Sequence, residues 1–274
     1  MMSSRFQFSR ALTLTLATVL LSHGVARGSD LEAPLREAYR DGGRVNEASV
    51  QLQGLSEPIK YLEAGHKSSH KLVVLIHGGV FSAETWKYVG TLDAFAVAGM
   101  RVVAPDMKRY SGDFSNVDLR QRLLKDFLDA IGWKRRPKSV LVIAASMGGT
   151  VAIPYLQAEP TTVAGYVSIS ALGLGDSGNG GGSSGAIPAL LIWGELDHPT
   201  SAKAEAHKRR FVTHQMVVIP DAPHPAYLKE PRLFNELVVR FAKGARGPVP
   251  GAGKEPLAVA ADWGAESAVE AHEL

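Results

Sequence analysis

Ser139-Val-Leu-Val-Ile-Ala-Ala-Ser146-Met-Gly-Gly149 changes character at its middle. Its first half is a continuous apolar run, as expected of a strand covered on both faces. Its second half is small, and the residues from Met147 to Ala158 fit a helix. A serine on such a sharp strand-to-helix turn has its hydroxyl held clear of the sheet, where it can act as a nucleophile. The turn is crowded, so small residues are needed two positions before and two after the serine. Ala144 and Gly148 supply them. Glycine is usual at the first of these positions, so Ala144 weakens the pattern taken alone. A Ser-Gly pair at a helix start is also common as plain capping, and the turn by itself leaves both readings open.

The same alternation repeats on either side. Lys71-Leu-Val-Val-Leu-Ile-His77, Arg101–Pro105, Val163–Ser170, Ile187–Trp193 and Gln215–Ile219 read as buried strands. Between them, Trp86, Val89, Leu92, Phe95 and Ala96 recur at helical spacing, as do Leu119, Leu123, Leu124, Phe127, Leu128 and Ile131. A polar helix fits Ala202–Arg210, and a last helix carries Leu233, Leu237, Val238 and Phe241. Two shorter runs, Ser49–Gly54 and Ile59–Gly65, read as an antiparallel hairpin before the first buried strand. This order predicts an α/β fold with a mostly parallel central sheet and helices on both faces. In such sheets the chemistry gathers at the carboxyl ends of the strands.

Three more groups stand at those ends. The strand 187–193 runs into Gly194-Glu195-Leu-Asp197, where a carboxylate can orient an imidazole. Asp197 is the expected acid and Glu195 its competitor. The strand 215–219 runs into Pro220-Asp-Ala-Pro-His224, and His224 is the expected base. The order Ser146, Asp197, His224 is that of the α/β-hydrolase fold. The strand 71–76 runs into His77-Gly78-Gly79-Val80. In that fold a backbone N–H of this loop and the N–H of the residue after the nucleophile receive the oxyanion, which nominates Gly79 and Met147. His77 is then structural.

The stretch from His77 to Asp106, with Phe81-Ser-Ala-Glu-Thr-Trp86 and Gly90-Thr-Leu92, resembles an alpha/beta-hydrolase-domain group. That group includes a mammalian protein-lysine deacetylase and its membrane-anchored relative. His224-Pro-Ala-Tyr-Leu228 and Pro231 resemble the same group's histidine loop. The group also lacks the first elbow glycine, so Ala144 no longer counts against catalysis. The resemblance covers residues 45–243 and implies a hydrolase domain; no lid is expected in it, because the stretch 173–185, where larger hydrolases insert one, is Gly- and Ser-rich. The resemblance places serine, acid and histidine on Ser146, Asp197 and His224. Met107-Lys-Arg-Tyr-Ser-Gly-Asp113 replaces the group's Gly-rich turn, and Pro223 stands where glycine is usual.

The expected activity is that of a serine hydrolase, an esterase or deacylase of small acyl esters or amides. The resemblance adds two narrower partners, an acylated peptide and coenzyme A as acyl acceptor. A catalytically silent binding module is the alternative from another class. Hydrolysis by such a site requires no cofactor. No metal site is expected either: His66 and His70 sit four apart, but in a polar loop. The chain has no cysteine, which excludes a thiolate nucleophile and cysteine metal sites. With 30 basic and 27 acidic residues the charge is nearly balanced, and Lys134-Arg-Arg136 with Lys138 reads as a solvated face. No nucleic-acid partner is expected.

The two ends read differently from the middle. Residues 1–28 carry Arg5, Arg10 and Arg27 around the apolar run Ala11–Leu21, and no acid. They read as a secretory signal peptide, with a short N-terminal anchor or an organellar transit peptide as alternatives. The expected location is secreted, periplasmic or the secretory lumen, with a membrane involved only if that segment is retained. The Gly- and Ser-rich stretch 173–185 reads as a connector. Residues 244–274, rich in Gly, Ala, Pro and Glu, read as a disordered tail.

Overall fold

A computed structural model describes residues 44–107, 117–134, 136–174, 186–247, 249 and 257–263. The signal or anchor reading of 1–28, most of the turn 107–113 and most of the connector 173–185 lie outside the described residues. Eight strands form one sheet: β1 (Asn46–Val50), β2 (Ile59–Ala64), β3 (Leu72–Ile76), β4 (Arg101–Pro105), β5 (Val140–Ala145), β6 (Val163–Ile169), β7 (Ala189–Gly194) and β8 (His214–Ile219). Their order is β1-β2-β4-β3-β5-β6-β7-β8. Only β2 runs against its neighbours; β4, β3 and β5 to β8 are parallel. This is the α/β-hydrolase fold.

The helices explain why β3, β5 and β7 are apolar throughout. On one face lie α1 (Glu84–Tyr88), α2 (Thr91–Val97) and α7 (Pro231–Ala242). On the other lie α3 (Val117–Ala130) and α4 (Gly149–Ala158). In β3, Val73 and Leu75 pack toward the first set, while Leu72, Val74 and Ile76 pack toward the second. Alternation with both faces covered leaves no polar position. The polar α5 (Ala202–Arg210) and the short α6 (Ala226–Lys229) complete the series. None of the described helices is long and apolar enough to cross a membrane.

The structure departs from the expected elements in three places. The first strand of the hairpin is β1 at Asn46–Val50, earlier than the expected 49–54, because Val50 pairs with Ile59 and the residues between form the loop. The apolar series from Trp86 to Ala96 is two helices. Gly90, at φ +77°, breaks it without moving its apolar face. Asn235 of α7 secures the break, accepting a hydrogen bond from Thr91 and donating to the Val89 carbonyl.

The third departure lies in the stretch 244–274 read as a disordered tail, of which 248, 250–256 and 264–274 lie outside the described residues. Residues 257–263 pack on the domain: Leu257 and Val259 are buried in the core beside α7. The Ala261 N–H donates to the Phe241 carbonyl, the Asp262 N–H to Ala164 and the Trp263 indole to Ala242. Three apolar side chains and backbone hydrogen bonds suffice to hold a segment whose composition is otherwise that of a loose tail.

Candidate active site

β5 ends at Ala145, which is extended (φ −105°, ψ 132°), and Ser146 then turns to φ +47°. This left-handed backbone costs a non-glycine residue roughly 1–2 kcal/mol. It throws the Ser146 side chain out of the sheet and starts a single helical turn, Ser146–Gly148, that leads into α4. Gly148 shows why the turn needs small residues. A Cβ there would lie 2.7 Å from the His77 carbonyl oxygen and 2.8 Å from that of Ile76.

The acid arrives by a similar device. After β7, residues Glu195–Asp197 form one helical turn. The two candidate carboxylates now separate. Asp197 Oδ2 lies 2.8 Å from His224 Nδ1, whereas Glu195 Oε2 accepts the Asp221 N–H at 3.0 Å. Gly194 lets the histidine loop come this close, since a Cβ there would lie 2.2 Å from the Ala222 carbonyl oxygen. Glu195 thus braces the loop that carries His224, and Asp197 holds the ring.

The other ring nitrogen, His224 Nε2, lies 2.8 Å from Ser146 Oγ. A carboxylate can only accept, so Nδ1 carries the proton that points at Asp197. Nε2 is then the acceptor, and the serine hydroxyl donates to it. The structure therefore brings Ser146, His224 and Asp197 into one hydrogen-bonded line. The expected acid is only partly buried, with 21% of its side chain exposed, and the histidine side chain is 45% exposed. The site is open to solvent.

His77 is engaged elsewhere. Its Nδ1 donates to the Gly78 carbonyl, and its Nε2 accepts the Met107 N–H at 2.9 Å, with Asp106 Oδ1 3.2 Å away. It is fully buried and fixes the loop after β3 against the end of β4. In that loop the Phe81 N–H closes a turn onto the Gly78 carbonyl. Such a turn leaves the N–H of its second residue, Gly79, outside its own hydrogen bond. Gly79 faces Met147 closely enough that a Cβ would lie 2.3 Å from its sulfur. The two residues expected to supply the oxyanion donors are therefore neighbours.

Phe81 is half-buried and borders the serine: the point where a Gly78 Cβ would lie is 3.3 Å from its ring and 3.4 Å from Ser146 Cβ. Trp86 does not face the site. It is fully buried and stacked on Tyr227 and Phe234. One neighbour of the serine has no signature in the sequence. The loop after β6 returns to Ser146, and the Leu172 N–H donates to the Ser146 carbonyl at 2.8 Å. Among the described residues no group of three or more His, Asp or Glu is arranged to hold a metal ion.

Residues 73–188 match the model of the alpha/beta hydrolase family. The chain is 28% identical over 201 residues to ABHD14B of Pongo abelii, which is named as a candidate protein-lysine deacylase. That match spans 72% of this chain and 95% of that protein. It is 32% identical over 180 residues to Protein ABHD14A of Danio rerio, across 62% of this chain and 63% of the relative. Among solved structures it is similar to carboxylesterase CesB of Bacillus subtilis, with TM-score 0.58 and 18% identity, over 77% of this chain and 98% of that one. A CIB-like hydrolase of Thermoplasma acidophilum superposes with TM-score 0.62 at 20% identity, over 72% of this chain and 97% of that one.

Proposed function

Because the chain belongs to the α/β-hydrolase superfamily, we propose that it is a serine hydrolase acting on small acyl esters or amides. The observation that carries this reading is the bridging imidazole, 2.8 Å from Asp197 on one side and 2.8 Å from Ser146 on the other. Ser146 Oγ attacks the acyl carbonyl and passes its proton to His224 Nε2. The oxyanion takes the N–H groups of Gly79 and Met147. The tetrahedral intermediate collapses, and His224 delivers the proton to the leaving alcohol or amine. Water, deprotonated by His224, then releases the acid from Ser146. Asp197 stays ionised and stabilises the imidazolium formed in each half.

The open mouth and the ring of Phe81 beside the serine favour a compact acyl group. A long fatty chain needs an extended apolar wall to leave water. The similarity to ABHD14B, named as a candidate protein-lysine deacylase, makes an acylated lysine peptide the amide to try, with and without coenzyme A as acceptor. We further propose that residues 1–28 direct the chain into a secretory route. N-terminal sequencing of the mature protein reads this directly, and a soluble cytosolic protein that keeps Met1 contradicts it.

The test is a p-nitrophenyl ester series from acetate to laurate, beside acetyl-lysine peptides, each assayed with wild type and Ser146→Ala. The expected result is a kcat/KM maximum between acetate and butyrate, and a loss of about a thousandfold or more in the variant. A maximum at octanoate or beyond contradicts the compact acyl site. Equal turnover by Ser146→Ala contradicts the serine mechanism.

A further inference from the structure

We infer that the Leu172 backbone N–H is a positioning group for the nucleophile, holding Ser146 in its left-handed backbone from the side opposite β3. This rests on the serine-hydrolase reading above. A non-glycine residue at φ +47° persists only where its surroundings over-determine it. Two grips act on the turn. On the β3 side, Gly148 lies against the carbonyls of Ile76 and His77. This contact fixes where the turn passes, but it does not touch the serine's own peptide groups.

The second grip does. The Ser146 carbonyl receives the Gly149 N–H from within the turn and the Leu172 N–H, at 2.8 Å, from across it. The two backbones are in direct contact there. A Cβ at Gly149 would lie 2.1 Å from the Leu172 carbonyl oxygen, and one at Gly173 would lie 2.8 Å from the Gly149 carbonyl oxygen.

Leu172 is itself delivered by a strained reversal. Ser170, at φ +44°, ends β6 with its N–H on the Ile192 carbonyl, and the Ala171 N–H folds back onto Ser168 Oγ. The left-handed Ser146 thus takes its hydrogen bond from a segment that itself reverses through a left-handed residue two positions before the donor, Ser170. Fixing the Ser146 carbonyl fixes the peptide plane after the serine. That plane contains the Met147 N–H, and its orientation constrains the Cα–Cβ direction that aims Oγ at His224. Loss of the donor releases both together. Misplacement of about 1 Å at a reacting centre costs on the order of a hundredfold in rate.

The experiment removes the donor alone. Leu172→Pro deletes the N–H, and replacing the residue by leucic acid, which turns that amide into an ester, deletes it without a ring. Leu172→Ala keeps the N–H and loses the side chain. Each is assayed with p-nitrophenyl acetate, with kcat expressed per serine titrated by a fluorophosphonate, beside melting temperature. Both donor-deleted variants are expected to lose about tenfold or more in kcat per titrated site, with KM within about threefold of wild type, and to fall at least as far below Leu172→Ala. A role in fold stability alone would lower melting temperature and the titratable fraction while leaving kcat per site intact. If Leu172→Pro does not fold, the ester variant decides. A kcat per site within twofold of wild type for the donor-deleted protein overturns the inference while leaving the serine mechanism standing. Absence of turnover and labelling in the wild type overturns both.

Discussion

The two ends of the sheet are built differently. Of the five described non-glycine residues with positive φ, four lie just beyond the carboxyl ends of strands: Ser146 after β5, Ser170 after β6, His198 after β7 and Asp221 after β8. Only Lys138 lies at the opposite end, before β5. At the carboxyl end, backbone meets backbone so closely that Gly148 and Gly194 admit no side chain, and His224 is exposed. At the amino end one such approach occurs among the described residues, at Gly65, where a Cβ would lie 2.1 Å from the Met100 carbonyl oxygen, and elsewhere side-chain packing prevails. Leu257 and Val259 fill the core margin, Trp263 lies under the Lys71 ammonium, and Asp262 pairs with Lys138. Strained backbone costs free energy and is kept where a geometry must be held. The contrast predicts that damage at one end removes chemistry, whereas damage at the other removes only stability.

The largest expected effect separates the two carboxylates of one turn. Asp197→Ala should lower kcat by about a thousandfold or more, because the imidazole loses the group that fixes its tautomer and stabilises its charge. Glu195→Gln keeps an acceptor for the Asp221 N–H and should cost less than about tenfold. Equal losses in a steady-state assay would erase the distinction between a residue that holds the ring and one that braces its loop.

Next comes the contrast between the ends themselves. Gly194→Ala drives a methyl into the Ala222 and Pro223 carbonyls and should reduce kcat about a hundredfold by displacing His224. Leu257→Ala, at a buried position 2% exposed, should destabilise the fold by about 2–4 kcal/mol in denaturant unfolding and leave kcat per titrated site unchanged. A Leu257→Ala protein that is stable but slow would break the comparison.

A smaller effect concerns pH. His207 on α5 is buried, edge-on to Trp193, with Nδ1 donating to the Lys203 carbonyl. Burial holds its pKa below the usual 6.5, so the unfolded chain takes up this proton more readily than the folded one. Stability therefore declines as pH falls below about 6.5, and is fully present above it. His207→Phe should flatten the slope of melting temperature between neutral and mildly acidic pH. An unchanged slope would assign it to other groups.

The smallest effect is expected at Tyr227, three residues after His224. Its hydroxyl is buried without a hydrogen-bond partner among the described residues, and burial raises its pKa. Tyr227→Phe should be neutral or stabilising by about 1 kcal/mol in thermal unfolding, since an unsatisfied polar group is removed and the stack on Trp86 is kept. A loss above that size would reveal a partner for the hydroxyl.

What was legible in the sequence follows from these differences. The meeting of Ser146, Asp197 and His224 could be anticipated because each stands just after a long apolar run, at the strand ends where such sheets gather polar groups. Spacing left Glu195 in competition with Asp197, since both lie in one turn and only its curl decides which faces His224. The break at Gly90 was hidden because the apolar spacing continues across it. The packing of 257–263 was hidden because much of what holds it is backbone hydrogen bonding, which composition does not encode. The Leu172 donor was hidden for the same reason: any residue but proline offers an N–H, and Ser170-Ala-Leu-Gly173 resembles an ordinary loop.

The central claim is that Ser146 is an activated nucleophile. Labelling of the purified protein with a fluorophosphonate, followed by mass mapping of the modified peptide, tests it most directly. The account predicts one phosphonyl group per chain on Ser146, none in Ser146→Ala, and labelling slowed by about a hundredfold or more in His224→Ala. Labelling of Ser146→Ala at the wild-type rate, or modification mapped to another serine, would contradict it.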